Sequence, residues 1–234
     1  MSSMDFKRKC LAEFLGSFFL VIVAVSPTIL SYNILKSSVP LAVFIDGVAV
    51  GFVLFALIEA LGPISGCHIN PAVTVAMLLS REIGAREATF YIASQFVGGF
   101  LGIIASHLMF IHEIPVIITL SDIARPAGCY FAEFMGTFLL VLTIFCCIKG
   151  KSKLTGLAVG LLVGGFLITT SSTMFANPQV TFARIFTYSI AGIRPIDALI
   201  FIVMEFLGGA FGGAIANYLT KPFSTLSERK VRMK

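Results

Sequence analysis

The chain has 234 residues, of which 57% are hydrophobic and only 12% are charged, and its formal net charge is +5 at pH 7. Soluble domains carry about 25% charged residues, so this composition excludes an ordinary soluble fold. Runs without Asp, Glu, Lys or Arg approach or exceed the roughly 20 residues that a helix needs to cross a bilayer. Such runs, which indicate a membrane protein, are residues 14–35, 134–148 and 154–183.

The first ten residues, "MSSMDFKRKC", are basic, but no small-residue cleavage site follows the apolar run behind them. We therefore expect a retained helix and not a signal peptide. The chain has neither a phosphate-binding loop nor a nucleophile motif, so we do not expect it to be an enzyme or to bind a cofactor. No metal site or disulfide is expected from the cysteines, which lack CxxC spacing; they are Cys10, Cys67, Cys129, Cys146 and Cys147.

Hydrophobicity predicts six spanning helices, in chain order at residues 10–31, 41–61, 88–110, 128–148, 154–172 and 196–220. Two further apolar segments, residues 70–79 and 177–189, are too short to span and begin with Asn-Pro. Asn is a favoured N-cap and Pro fits the first turn, so each segment is predicted to be a half-helix. The chain before each one is predicted to be extended, and it must be buried in protein or line water.

The basic residues predict the orientation. If both termini are cytoplasmic, thirteen Lys and Arg residues fall inside and four, which are Lys36, Arg125, Arg184 and Arg194, fall outside. This distribution obeys the positive-inside rule and predicts a multi-pass protein of the cell membrane, inner or plasma. The positive charge is then a topology signal, and no nucleic-acid partner is expected.

The two halves of the chain resemble each other. "LAEFLGSFFLVI" at residues 11–22 matches "FAEFMGTFLLVL" at residues 131–142, and "SQFVGGFLG" at 94–102 matches "MEFLGGAFG" at 204–212. Because three spans per half is an odd number, the second half must be inverted. We expect one all-α channel domain, residues 1–234, with repeats at 10–111 and 128–220 and a site near the membrane midplane.

In such a repeat the N-termini of the two half-helices meet near the centre of the membrane. Their positive dipole ends repel cations, and their Asn side chains offer hydrogen bonds to a neutral solute.

The Asn-Pro segments and the repeated "AEF" segments resemble the signatures of the major intrinsic protein family, the aquaporins and glycerol facilitators. The strongest resemblance is in "SGCHINPAVTV" at residues 65–75. The resemblance extends over nearly the whole chain. It implies an aquaporin-like fold of six transmembrane helices plus two re-entrant half-helices, one pore per protomer, and a homotetramer in the lipid bilayer. It implies central pore motifs and loop-bracing carboxylates, with His68 expected to orient its loop and not to titrate as a gate. The motif residues are Asn70, Pro71, Ala72, Asn177, Pro178 and Gln179, and the bracing residues are Glu13 and Glu133.

The second motif departs from the family pattern. It reads Asn-Pro-Gln, and Val180 occupies the position of the family's selectivity arginine, three residues after the motif's Asn. Matching by position places Val50 where many water-selective members have an aromatic ring. The third filter position is Gly165, or Leu167 under another alignment, and the fourth is Met174.

With none of these residues charged, we expect a wide, weakly polar constriction. It would pass water together with glycerol-like polyols, urea or metalloid hydroxides such as arsenous acid. The second motif also resembles those of bacterial branches linked to metalloids or polyols.

Two charges remain near this constriction. Asp46 lies four residues before Val50, and Arg184 lies four residues after Val180. Residues four apart share a helix face, so both charges are predicted to reach the outer vestibule and to pair directly or through water. The alternative is that Asp46 faces lipid headgroups and Arg184 bonds loop carbonyls.

Other functions fit parts of the pattern. A water-selective aquaporin would share the fold. A proton-coupled secondary transporter can also have inverted repeats, with a relay of acids at Glu13, Asp46, Glu59 and Glu205. A nonconducting scaffold would leave both Asn-Pro motifs without a purpose.

Overall fold

A computed structural model describes residues 3–221, and this part of the chain is helical with connecting loops. The fold is all-α, as predicted. Arg229, Lys230, Arg232 and Lys234, which were counted for the orientation, lie outside the described residues. The long helices are α1 (Ser3–Val23), α2 (Val39–Ser65), α4 (Ala85–Leu108), α5 (Ala127–Lys149), α6 (Thr155–Thr169) and α8 (Pro195–Leu219), and the half-helices are α3 (Pro71–Leu79) and α7 (Pro178–Ala183).

Short helical segments extend two of these elements. After α1 come a single turn, Ser26–Thr28, and a π-helical stretch, Ile29–Ile34. After α7 the chain tightens into a 3-10 turn, Arg184–Phe186. The second half-helix therefore ends sooner than the predicted segment 177–189.

The α6 helix is shorter than a bilayer is thick. Its 15 residues rise about 23 Å, against about 30 Å for the hydrocarbon core. The other five long helices are long and apolar enough to span a membrane. The α6 helix ends in a Ser/Thr-rich stretch, where Thr169 and Thr170 bond the carbonyls of Gly165 and Phe166. Such side-chain bonds compete with helix propagation.

The two halves pack in the same way. The α1 helix lies against α4, and α5 lies against α8. Glycines of α4 and α8 face backbone carbonyls of the neighbouring helix, which allows the close approach that apolar helices use in lipid. The facing pairs are Gly98 with Phe14, Gly102 with Phe18, Gly208 with Phe134 and Gly212 with Phe138.

The outward helix faces are apolar. Phe52, Phe131, Leu161 and Leu199 are each more than 60% exposed. A surface of this kind suits contact with lipid.

We expect Gly212→Ala to destabilise the protein. A Cβ at residue 212 would lie 2.5 Å from the Phe138 carbonyl oxygen, and overpacking of this kind costs about 1–3 kcal/mol. The control is Gly165→Ala, because a Cβ there meets no heavy atom within 4 Å. Thermal unfolding in detergent should show a lower Tm for Gly212→Ala only, and equal shifts in both variants would contradict the packing argument.

Candidate functional site: the central cavity

The two half-helices begin at the Asn-Pro motifs, as predicted. Asn70 is the N-cap of α3, and its Oδ1 accepts a hydrogen bond from the Ala72 N–H at 2.8 Å. Asn177 is the N-cap of α7, and its Oδ1 accepts from the Gln179 N–H at 3.3 Å. Pro71 and Pro178 occupy the first helical position, where a missing N–H costs nothing.

Each Asn also binds the opposite loop. Asn70 Nδ2 donates to the Ala176 carbonyl at 2.7 Å, and Asn177 Nδ2 donates to the Ile69 carbonyl at 2.9 Å. Each acceptor is the residue directly before the other Asn, so the two bonds form a reciprocal clasp. A carboxamide nitrogen has two N–H groups, so one N–H of each Asn remains for a molecule in the cavity between them.

The loops before the half-helices share an unusual backbone. The residues three and one before each Asn have positive φ: 48° at Cys67, 40° at Ile69, 36° at Met174 and 48° at Ala176. Non-glycine residues in this left-handed region cost about 1–3 kcal/mol each. Such a conformation persists only where surrounding contacts hold it.

A buried carboxylate holds the first loop. Glu13 of α1 is fully buried and accepts from the His68 and Ile69 N–H groups at 2.9 and 2.6 Å. It also accepts from Ser65 Oγ at 2.6 Å and from Gln95 Nε2 at 2.7 Å. His68 itself contacts Thr74 Oγ1 through Nδ1 at 3.2 Å, which connects the loop to the half-helix that follows it.

Glu133 of α5 does the same for the second loop. It is fully buried and accepts from the Phe175 and Ala176 N–H groups at 2.9 and 2.6 Å. These contacts have the geometry that loop bracing requires.

The partner of the brace differs between the halves, which the sequence analysis missed. In the first half Gln95 donates to both Glu13 and Thr74. In the second half Glu205 takes this place, and it accepts from Thr181 Oγ1 at 2.5 Å. The signal was present, since Gln95 and Glu205 align in the repeated "SQFVGG" and "MEFLGG".

One cavity, with an empty volume of about 870 Å³ including its open ends, runs along the bundle between the half-helices. Ile148 and Thr155 line it at one end, next to the connection between α5 and α6, and Arg184 lines it beyond α7. Its polar lining includes Asn70, Asn177 and His68, and much of the remaining wall is apolar, with Leu20, Leu54, Val73, Met77, Leu140, Val159 and Val163.

Three of the four predicted filter residues, Val50, Met174 and Val180, line this cavity. Gly165 is not among the lining residues, so its placement there was wrong. It lies on the outer face of α6, whereas Leu167 is 2% exposed and lines the cavity. Of the two alignments, the one through Leu167 therefore fits the structure.

Asp46 and Arg184 form the predicted pair. Arg184 Nη2 lies 3.6 Å from Asp46 Oδ2, and the two side chains are only 2% and 4% exposed. The pair is therefore buried and not part of a wet vestibule. Arg184 also lines the cavity, so a charged side chain borders the pore although the predicted filter residues are uncharged.

Comparisons with known proteins agree on the family. The family model described as Major intrinsic protein matches residues 1–176 and thus ends one residue before Asn177. Aquaglyceroporin AqpS of Rhizobium meliloti (strain 1021) is 34% identical over 222 residues, which cover 95% of this chain and 94% of that relative. Aquaporin AqpM of Methanothermobacter thermautotrophicus is 32% identical over 207 residues, which cover 75% of this chain and 81% of that relative.

A solved structure has the same fold. The aquaglyceroporin from Plasmodium falciparum superposes with a TM-score of 0.67 at 18% identity, covering 98% of this chain and 100% of that one.

We expect Glu133→Gln to destabilise the second loop. Gln has only one acceptor oxygen, so its NH2 group would face the Phe175 or Ala176 N–H. A buried donor left unpaired costs about 1–3 kcal/mol. The matched control is Glu205→Gln, which should be tolerated because Gln95 fills the equivalent position in the first half. Thermal unfolding of both variants in detergent measures this, and a larger loss of stability in Glu205→Gln than in Glu133→Gln would contradict the assignment.

Proposed function

Because the chain belongs to the major intrinsic protein family, whose members are channels and not enzymes, we propose that it is a passive channel for water and glycerol-like neutral solutes. The observation that carries this proposal is the clasp: Asn70 and Asn177 bind each other's loops, and both line the cavity between the half-helices.

The centre of the cavity favours neutral solutes. Free N–H groups of the two Asn side chains give a passing solute hydrogen bonds from a fixed position. The converging starts of α3 and α7 carry partial positive charge, which opposes the passage of protons and other cations. Uncharged solutes that accept hydrogen bonds therefore have the lowest free-energy barrier at the centre of the cavity.

The residues that line the cavity indicate the class of solute. Val50, Leu167, Met174 and Val180 give the cavity an apolar lining, and Arg184 adds hydrogen-bond donors. This combination suits molecules with a hydrocarbon face and a hydroxyl face, which describes glycerol-like polyols. Urea and undissociated arsenous acid are further candidates because they are small, neutral and rich in hydrogen-bonding groups.

The location and assembly belong to the same proposal. The channel lies in the cell membrane, inner or plasma, with both termini in the cytoplasm, as the distribution of basic residues indicates. By resemblance to the family it forms a homotetramer in which each protomer has its own pore. The apolar outward faces of the helices suit contacts both with lipid and with neighbouring protomers.

A proton-coupled transporter is less compatible with the structure. None of the acids considered for a relay, Glu13, Asp46, Glu59 and Glu205, lines the cavity among the described residues. Glu13 is fixed by loop donors, Asp46 pairs with Arg184, and Glu205 bonds Thr181.

The test is a stopped-flow shrink–swell assay on proteoliposomes with water, glycerol, urea and arsenous acid. A channel gives solute flux that rises nearly linearly with concentration and depends weakly on temperature. Water flux without solute flux would leave a water-selective channel and contradict the solute class. Saturating flux driven by a pH gradient would contradict a channel altogether.

We expect Asn177→Asp to abolish most solute flux. A carboxylate cannot donate to the Ile69 carbonyl, so the clasp is lost and two oxygens face each other, at a cost of about 1–3 kcal/mol in stability. The control is Asn217→Asp. The Asn217 side chain donates to Ser80 Oγ, and neither residue lines the cavity. Glycerol flux per folded protomer should fall in the first variant only. Unchanged flux in Asn177→Asp would remove this Asn from the conducting path.

A further inference from the structure

Arg184 comes too late in the sequence to be the family's filter arginine, yet its side chain lines the same cavity as the predicted filter residues. The α7 helix ends at Ala183, and the chain then turns through Arg184–Phe186. From this turn the guanidinium extends back to the Ala24 carbonyl of the chain after α1. It lines the same cavity as Val50, Leu167 and Val180.

An aromatic ring supports the guanidinium. Arg184 Cζ lies 4.2 Å from the ring centroid of Phe175, which is within the range of a cation–π contact. Phe175 in turn packs edge-on against Phe201 at 5.3 Å, and it also lines the cavity. An arginine and an aromatic ring that contact each other therefore both line this cavity, although Val180 and Val50 supply neither.

The guanidinium keeps donors for a molecule in the cavity. Only Nη2 finds acceptors within residues 3–221, the Ala24 carbonyl and the carboxylate of Asp46. Nη1 donates to none of these residues, and Arg184 lines the cavity, so Nη1 can donate to a molecule there. A guanidinium donor without an acceptor is costly, so the arrangement favours a molecule that accepts from Arg184.

Asp46 explains how a cation is tolerated here. The two side chains are almost completely buried, and an isolated charge at this depth would be costly. The carboxylate at 3.6 Å compensates the guanidinium. The pair is neutral overall, so it offers directed donors without a net charge that would attract anions.

We propose that Arg184, held by Asp46 and Phe175, is the specificity-determining residue of the filter and selects neutral solutes with hydroxyl groups along one face. This inference rests on the proposed channel function. The guanidinium occupies cavity space that Val180 leaves open, and it limits the size of the solute. Val50, Leu167 and Met174 contact the hydrocarbon face while Arg184 donates to the hydroxyls.

The first test is the double variant Asp46→Asn/Arg184→Gln, which removes both charges and so leaves neither one buried alone. Proteoliposomes are assayed for water, glycerol and a five-carbon polyol, xylitol. The ratio of xylitol to glycerol permeability should rise about tenfold, which corresponds to about 1.4 kcal/mol in the barrier to passage.

Two further variants separate filtering from folding. Phe175→Leu keeps Arg184 but removes its ring support, and it should raise the same ratio to a smaller extent. The control is Arg194→Gln, an arginine outside the cavity whose Nε bonds Asp197 at 2.7 Å, and it should leave the ratio unchanged.

The outcomes are distinguishable. If the wild type passes no solute larger than water, the proposed function fails. If the wild type passes glycerol while the double variant keeps the wild-type ratio, the channel stands and the filter role of Arg184 is overturned. Loss of folded protein in both the double variant and Phe175→Leu would assign these side chains to folding and would equally overturn the role.

Discussion

The two hydrogen bonds of the reciprocal clasp between the Asn-Pro loops are the interaction on which the rest of the structure depends. They require both the backbone conformation of the loops and the buried carboxylates that hold it. Asn70 and Asn177 can donate to each other's loops only if the carbonyls of Ile69 and Ala176 point inward. That direction requires the left-handed backbone at both residues. The strain is held by Glu13 and Glu133, whose oxygens accept from the same two backbone positions in each loop. Carboxylates in two apolar helices are thus a consequence of the clasp.

The same low-dielectric surroundings account for the placement of the other buried charges. In the membrane interior an ionisable group is costly unless it is paired or fully hydrogen-bonded. Each of these acids has a local partner: loop N–H groups for the two braces, a hydroxyl for Glu205, and a guanidinium for Asp46. Groups committed in this way are poorly suited to relay protons, because each would have to give up its own partner first.

The sequence predicted the parts that follow from backbone chemistry and internal repetition. Asn-Pro indicated helix starts, the repeated "AEF" motifs indicated the two braces, and uncharged runs indicated the long helices. It did not separate Gly165 from Leu167, because an almost uniformly apolar helix has no periodicity to show which face is inward. The sequence also did not predict that the Arg184 side chain lines the cavity. Residue spacing gives the position of a backbone atom on a helix, but not the direction in which a long side chain extends from a turn. Phe175 was missed because an apolar residue in a loop is usually only packing.

The filter shows where the symmetry of the two halves is broken. His68 and Phe175 occupy the same place, two residues before each Asn, and their N–H groups bond equivalent carboxylates. Their backbones are therefore constrained alike, but their side chains are not. His68 contacts Thr74 of its own half-helix, whereas Phe175 supports a guanidinium from beyond the second one. Because the hydrogen bonds that hold the loops involve only main-chain atoms at these positions, the side chains are free to differ. The chain can thus change which residue supplies the aromatic ring and the cation of the filter without disturbing the clasp.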